Sequence, residues 1–201
     1  MKTIVVLLGI ILFIGIAIQL YAMTQQKNTE TYPYKVLKTY TDFELRSYEA
    51  RLFTSVKLSS DSYKAASNRG FSILAGYIFG GNEQKQKIAM TTPVAMSLED
   101  SMTMMFMVPK EYTQETLPQP DRSEIKFSEE PAKTVAAIRF GGWASDERIA
   151  EYKEKLLVAL AAEGVEHTNK FYFLGYNAPF EAINRRNEVI VELDPEQIAK
   201  E

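Results

Sequence analysis

Two adjacent arginines, Arg185 and Arg186, followed closely by Glu188, are the side chains of this sequence best suited to hold a charged ligand. A guanidinium group binds a carboxylate through two parallel hydrogen bonds, so these residues could clamp an acidic group. An ion pair with Glu188, or with Glu44, would serve the fold instead. The pattern favours the structural ion pair for one arginine and leaves the role of the other open.

Most metal and covalent chemistry is excluded by composition. The chain has no cysteine and a single histidine, His167, which rules out disulfides, thiolate metal sites, cysteine nucleophiles and sites built from several histidines. His167 follows Glu166 in a polar turn, where we expect an exposed side chain. The sequence contains no glycine-rich phosphate loop and no nucleophile elbow. It therefore indicates a binding protein rather than an enzyme.

Methionine is concentrated in one part of the chain. Six of the eight methionines lie between Met90 and Met107, and this flexible residue is common where a surface adapts to varied ligands. Strand alternation would place Met102 and Met104 on one face and Met105 and Met107 on the other. They cannot all line one site, so we expect core packing for most of them.

Charge and composition narrow the class of partner. Hydrophobic residues make up 46% and charged residues 24% of 201 residues, as in an ordinary globular protein, and the formal net charge is −3. The sequence has no basic stripe that would bind nucleic acid. We expect a monomeric folded domain that binds neither DNA nor RNA.

The first 23 residues differ from the rest of the chain. Residues 4–18 are all apolar or glycine, and with residues 19–23 they would form a helix of about 30 Å, the thickness of a bilayer core. We interpret residues 1–23 as an uncleaved single-pass membrane anchor, with a cleaved signal peptide as the alternative. Residues 24–33 are polar and predict a short tether, and the domain is expected on the extracytoplasmic side.

The remainder shows one order of elements twice. In the first unit, alternation and helical periodicity predict strands at 43–50 and 52–58, a helix at 61–79 capped by Asp61, and strands at 87–98 and 103–108. In the second unit they predict strands at 124–128 and 134–140, a helix from the capping Ser145 to about Glu163, and strands at 171–176 and 188–193.

Equivalent elements of the two units are about 82–84 residues apart, as Leu52 and Thr134 illustrate. The pattern predicts an α+β fold made of two pseudo-symmetric ββαββ halves. Neither half can bury its sheet alone, so we expect one curved antiparallel sheet or barrel of about eight strands with both helices packed outside. A ligand site is expected between the halves.

Several short stretches are also typical of a known family. They are Tyr34-Lys-Val-Leu with Phe43-Glu-Leu-Arg-Ser-Tyr, Gly80-Gly-Asn, Lys87-Ile-Ala-Met-Thr-Thr-Pro-Val, and Tyr176-Asn-Ala-Pro-Phe followed by Arg185-Arg-Asn-Glu-Val. In this order and spacing they closely resemble the SOUL family of haem-binding proteins. The resemblance covers residues 34–194 and leaves 195–201 as a tail. It implies a distorted antiparallel β-barrel of two pseudo-symmetric halves with two flanking helices, here preceded by a transmembrane helix.

The resemblance also implies non-covalent binding of haem or another tetrapyrrole in an apolar groove at the first helix. Carried onto this chain, the groove residues would be Phe71, Leu74, Ala75, Ile78 and Met90. Some members have a lysine late in the first helix, where this chain has none, so the cations nearest the propionates would be Arg69, Arg185 or Arg186. A histidine that some members offer to the iron is also missing here, which allows binding without an axial protein ligand.

The function expected from the sequence is therefore a membrane-tethered, non-enzymatic carrier or buffer of tetrapyrroles. Two alternatives remain. One is a generic small-molecule-binding or hydrolytic domain of the same architecture. The other is an interaction module for which haem is an opportunistic ligand.

Overall fold

The computed structural model describes residues 29–59, 62–99, 101–178 and 181–194, together with individual residues between 4 and 19. From residue 29 onward the described chain forms nine strands and two helices. In chain order they are β1 (Tyr34–Thr39), β2 (Glu44–Tyr48), β3 (Arg51–Lys57), α1 (Tyr63–Ile78), β4 (Val94–Ser97), β5 (Thr103–Met107), β6 (Ile125–Glu130), β7 (Lys133–Phe140), α2 (Asp146–Ala162), β8 (His167–Gly175) and β9 (Asn187–Leu193).

Much of the predicted anchor falls outside the described residues, as do residues 20–28 and the tail 195–201. In the part of the chain that is described, no helix is both long and apolar enough to span a bilayer. The last residues of the predicted tether contact the domain. Tyr32 is buried, its backbone N–H donates to the Thr92 carbonyl at 2.8 Å, and Thr31 forms a parallel bridge with Thr92.

All nine strands belong to one antiparallel sheet in the order β1-β2-β7-β9-β8-β4-β5-β3-β6. Without β1, this order is unchanged when the two halves are exchanged, so a pseudo-twofold axis passes between β4 and β8. Each half gives its first strand to the other, because β2 pairs with β7 and β6 pairs with β3. The strand order confirms the two ββαββ halves predicted from the sequence.

The sheet curls but does not close into a complete barrel. Among the described residues, β1 and β6 form its two edges, and no pairing joins them. The expected barrel is therefore corrected to an open, curled half-barrel. Both edge strands carry lysines, Lys35 and Lys38 on β1 and Lys126 on β6, and charged edge residues disfavour pairing with other chains.

Both predicted helices are confirmed, with one change at a cap. The N-cap of α1 is Ser62, whose hydroxyl accepts from the Ala65 N–H, and not the predicted Asp61. The predicted Ser145 caps α2 and accepts from the Arg148 N–H. Gly164 follows α2 with φ of +66°, the left-handed conformation that glycine adopts after a last helical turn.

The strand predictions differ from the structure in two places: one strand was not predicted, and another is shorter than predicted. Strand β1 was not predicted because five of its six residues are exposed, so its sequence lacks the alternation that a buried face imposes. The strand expected at 87–98 is reduced to Val94–Ser97. Residues before Pro93 bond elsewhere: the Ile88 N–H donates to the Ile78 carbonyl, and the Thr91 hydroxyl donates to the Met107 carbonyl.

The core consists of three apolar clusters, two on the helix-bearing face of the sheet and one on the opposite face. One face carries both helices, with α1 packed on β3 and β5 and α2 packed on β7 and β9. The opposite face carries a third cluster that includes Tyr48, Phe53 and Met105. The methionines alternate as predicted, since Met104 packs under α1 while Met105 and Met107 lie on the opposite face.

The close approach of α1 to the sheet depends on Gly70. A Cβ atom added there would lie 2.8 Å from Leu58 Cδ1 and 3.0 Å from Met104 Cβ, whereas one added at Gly76 on the same helix would meet nothing within 4 Å. Glycine costs a helix about 0.5–1 kcal/mol relative to alanine. Alanine at Gly70 and at Gly76 should therefore bring the same gain in helix propensity but a steric clash only at Gly70.

We expect Gly76→Ala to stabilise the chain by about 0.5–1 kcal/mol through helix propensity. Gly70→Ala should instead destabilise it, because overpacking costs about 1–3 kcal/mol. Urea unfolding of the full chain, followed by the fluorescence of its single tryptophan, measures both. Equal stability of the two variants would show that Gly70 is not needed for the close packing of α1 on the sheet.

Candidate functional site

The main candidate site is a cavity of about 560 Å³ on the helix-bearing face of the sheet, over the pairing of β4 with β8. It is bounded by α1, by the loop after β7 and by the loop between β8 and β9. This places it between the two halves, where the sequence predicted a ligand site. Its lining residues are Tyr63, Ser67, Asn68, Phe71, Ser72, Ala75, Val94, Met96, Met104, Trp143, Ala144, Phe173, Gly175, Asn177, Arg185 and Asn187.

The floor and one wall of this cavity are apolar. Phe71 and Ala75, one helical turn apart, face it from α1, and Met96 and Phe173 lie below them on β4 and β8. The Phe71 ring meets Phe106 in an edge-to-face contact at 5.5 Å. Such a surface can bury the faces of an apolar ring system.

Arg185 is the only charged residue among the described residues that line the cavity. Its guanidinium lies 4.0 Å from the centre of the Trp143 ring, and Nη1 donates to the carbonyls of Ala178 and Glu181 at 3.0 and 2.5 Å. Its Nε is buried without a partner among the described residues. Burial lowers the pKa of Arg185, and the nearby Tyr63 and Glu181 oppose that shift only in part. An arginine nevertheless stays charged at neutral pH, so the cavity presents a cation.

The neighbouring Arg186 belongs to a buried ion cluster on the other face of the sheet. Both Arg186 and Arg46 donate two hydrogen bonds to the carboxylate of Glu188, at 2.8–3.2 Å. The Tyr176 hydroxyl also donates to this carboxylate at 2.9 Å. Tyr34 accepts a further hydrogen bond from Arg186. This confirms a structural ion pair for one of the two arginines.

Glu188 is fully buried, and its charge depends on its partners. Burial by itself would raise the pKa of Glu188, but the hydrogen bonds and charges of Arg46 and Arg186 outweigh it and hold the pKa below its ordinary value. The carboxylate therefore remains ionised at neutral pH inside the protein. Arg186 also lies over the ring of Tyr176, whose pKa is raised well above its ordinary value, first by burial and then by the charge of Glu188.

The loop between β8 and β9 forms the wall that carries Arg185, and side chains of the loop itself hold it in shape. The side-chain amide of Asn177 donates to the Glu181 carboxylate at 2.7 Å. The side-chain oxygen of Asn177 accepts from the backbone N–H of Arg186 at 2.6 Å. Asn187 ties this wall to the neighbouring loop, because its amide donates to the Gly142 carbonyl at 2.8 Å. The two loops at the mouth of the cavity are thus joined.

The structure brings together only some of the site residues predicted from the sequence. Phe71, Ala75 and Arg185 line the cavity. Leu74 and Ile78 are buried in the core under α1, and Met90, which lies in a loop and not on a strand, packs against that core. Arg69 is exposed on α1 outside the cavity, and Arg186 joins the buried cluster. His167 was predicted to be exposed in a polar turn; it instead begins β8 and is half-buried, outside the cavity lining.

Sequence reasoning missed several lining residues, above all Tyr63, Trp143 and Phe173. In the sequence, Tyr63 is distinguished only as a residue of the predicted helix 61–79, and Phe173 only as a residue of the predicted strand 171–176. Trp143 offered a signal, since it is the single tryptophan of the chain and lies in a glycine-containing turn before a helix. More than half of its surface is exposed, which is unusual for so large an apolar side chain.

The fold and the cavity together define a class of protein: a curled sheet of two ββαββ halves with an apolar site between the helices. The profile of the SOUL heme-binding protein family matches residues 29–192, so the chain belongs to this family. It is 31% identical to heme-binding protein 2 of Mus musculus over 156 residues, covering 73% of this chain and 76% of the relative. It is 26% identical to heme-binding protein 1 of Sus scrofa over 174 residues, covering 81% and 92%.

Solved structures with the same fold are much more distant in sequence. The C-terminal domain of EcmrR superposes with a TM-score of 0.59 at 11% identity, covering 80% of this chain and 98% of that one. A hydrolase from Listeria innocua superposes with a TM-score of 0.56 at 10% identity, covering 79% and 94%. SAV2435 bound to tetraphenylphosphonium gives 0.51 at 8% identity, covering 79% and 97%. At these identities the likeness concerns the fold alone.

We expect Glu188→Gln to destabilise the chain by about 3–5 kcal/mol, because it removes the buried carboxylate charge that Arg46 and Arg186 share and leaves only the partly exposed Glu44 beside Arg46. Glu49→Gln, which breaks an exposed ion pair with Arg51, should cost no more than about 1 kcal/mol. Urea unfolding of both variants against the wild type measures the difference.

The effect of Glu188 should also depend on pH. A carboxylate with a lowered pKa stabilises the fold above its ordinary pKa and loses that contribution as the pH falls through its folded value. The gap between the wild type and Glu188→Gln should therefore narrow in acid. A gap that stays constant from pH 7 to pH 3 would show that the charge of Glu188 is not what stabilises the cluster.

Proposed function

We propose that this chain binds haem or a related tetrapyrrole non-covalently in the cavity beside α1, and that it works as a membrane-tethered carrier or buffer. The observation that carries this proposal is a largely apolar cavity in which Arg185 is the only charged residue among the lining residues that the structure describes. A tetrapyrrole has the matching chemistry, with apolar ring faces and acidic propionates. The cavity volume of about 560 Å³ lies within the range of about 300–1,000 Å³ typical of small-molecule sites. Relatives named heme-binding proteins 1 and 2 support the same ligand class.

The sign of the charge in the cavity favours an anionic amphiphile. A lipophilic cation, such as the tetraphenylphosphonium bound to SAV2435, would be repelled by Arg185. The described lining residues include no carboxylate, histidine or cysteine that could act as general base or nucleophile. This composition favours binding over the hydrolytic alternative.

The residues present suit reversible binding. A chain without cysteine cannot attach haem through thioether bonds, so the ligand can exchange. Phe71 and Ala75 would contact the ring faces, while Arg185 would face the propionates at the mouth. Trp143 is already stacked on Arg185 and would cover the same end of the site. Such a site serves transfer or buffering by a monomeric domain.

The proposed tether rests on the apolar run at 4–23. It is long enough to span a bilayer, and the polar residues 24–28 would link it to the folded domain that starts near residue 29. Five residues extend at most about 18 Å, so the domain would stay close to the membrane surface. We place the domain on the extracytoplasmic side, anchored by one uncleaved segment.

We expect full-length protein to bind haem and metal-free protoporphyrin with quenching of Trp143 fluorescence, since the single tryptophan lies at the cavity. Ala75→Phe should weaken binding of both by roughly 10–100-fold, because the added ring occupies the cavity at a cost of about 1–3 kcal/mol. Fluorescence titration gives the two affinities.

The matched control is Ala65→Phe, which adds the same ring to an exposed position of α1 outside the cavity. It should bind both ligands as the wild type does. If Ala75→Phe and Ala65→Phe bind equally well, the ligand site lies elsewhere. If the wild-type chain binds neither haem nor protoporphyrin, the proposed function fails.

The anchor can be tested separately. Mass spectrometry of the protein extracted from membranes should find residues 1–23 still attached, and alkaline washing should not release it. A mature chain that begins near Met23 would show that the segment is a cleaved signal peptide. A chain recovered wholly in the wash would contradict the tether.

A further inference from the structure

Few side chains of the cavity could coordinate a metal ion held by a tetrapyrrole. The chain has no cysteine, and His167 lies outside the cavity lining. Among the described lining residues, the remaining donors of suitable chemistry are the phenol oxygen of Tyr63 and the thioether sulfurs of Met96 and Met104.

The two methionines are poorly placed for this role. Met96 and Met104 are 1% and 2% exposed, and both belong to the core cluster under α1. Tyr63, the first residue of α1, is only partly buried and contacts the cores under both helices. Ferric iron is a hard ion, and a phenolate oxygen suits it better than a thioether sulfur. Tyr63 is therefore the stronger candidate.

The structure holds the Tyr63 ring in place at the wall of the cavity. Its backbone N–H donates to the Asp146 carboxylate at 2.5 Å, and its ring meets the edge of Phe173 at 4.9 Å. The hydroxyl makes no hydrogen bond to any residue that the structure describes. Tyr63 therefore contributes to the cavity wall a phenol that no described residue engages.

The charges around Tyr63 act on its ionisation in opposite directions. Burial raises the pKa of Tyr63, Arg185 lowers it, and Asp146 raises it. Without a ligand the phenol therefore stays protonated at neutral pH. A ferric ion adds a much larger local positive charge than Arg185, and such an ion can deprotonate a weak acid that coordinates it.

We propose that Tyr63 is the side-chain ligand for ferric iron in this cavity. This inference rests on the proposed function, because it requires a tetrapyrrole in the same site. Coordination would replace a water molecule on the ferric ion and would release the phenol proton to solvent. The site then prefers ferric over ferrous haem, because the softer ferrous ion binds an anionic oxygen less strongly.

The test compares Tyr63→Phe with the wild type, using ferric haem and metal-free protoporphyrin as two probes. The variant keeps the ring and its contact with Phe173 but loses the oxygen. We expect ferric haem to bind about tenfold more weakly or worse, with loss of the phenolate-to-iron charge-transfer absorption and a changed electron paramagnetic resonance spectrum. Protoporphyrin, which has no metal, should bind unchanged.

Tyr152→Phe is the matched control, since Tyr152 lies on α2 outside the cavity lining and stacks on Phe140. It should leave both affinities and the haem spectrum as in the wild type. If Tyr63→Phe keeps the wild-type haem spectrum and affinity, or weakens haem and protoporphyrin equally, Tyr63 is not the iron ligand. A wild-type chain that binds protoporphyrin without any phenolate charge-transfer band on ferric haem overturns the ligand while leaving the proposed function intact.

Discussion

A buried carboxylate, Glu188, organises the site from the opposite face of the sheet. A charge removed from water must be paired, and here Arg46 and Arg186 supply both partners. Side chains alternate along an extended chain, so Arg186 and Glu188 point to one face while Arg185 and Asn187 point to the other. Fixing the first pair thus directs the second pair into the cavity. An ion cluster outside the cavity thus fixes the direction of the arginine that lines it.

The positions of the two helices on the sheet explain why a cavity exists. Helix α1 covers β3 and β5, and α2 covers β7 and β9. The strands at the pseudo-twofold axis, β4 and β8, lie between the two helices. Their helix-side residues, including Val94 and Phe173, therefore face a gap instead of a helix. The loops after β7 and β8 border that gap, which gives a site with an apolar floor and a polar mouth.

Of the short stretches that identify the family, one contributes residues to the cavity and to the fold, and another contributes to the fold. In Arg185-Arg-Asn-Glu-Val, the first arginine faces the cavity, the second pairs with the buried glutamate, and Asn187 joins the two mouth loops. In Gly80-Gly-Asn, a Cβ on Gly81 would lie 2.7 Å from the Gly76 carbonyl, and the fully buried Asn82 bonds the Tyr77 and Gln86 carbonyls. That second stretch ends α1 and stabilises its packing.

The sequence by itself determined the elements whose signals are local. Both helices, the doubled ββαββ order and the alternation of the methionines follow from periodicity, and the family follows from its short stretches. Tertiary structure decided the rest, because a helix turns about 100° per residue and its docking angle selects which positions meet the sheet. The docking of α1 buries Leu74 and Ile78 in the core. It directs Phe71 and Ala75 towards the cavity. Tyr63, Trp143 and Arg185 are far apart in the chain, and only the pairing of β4 with β8 assembles them around one cavity.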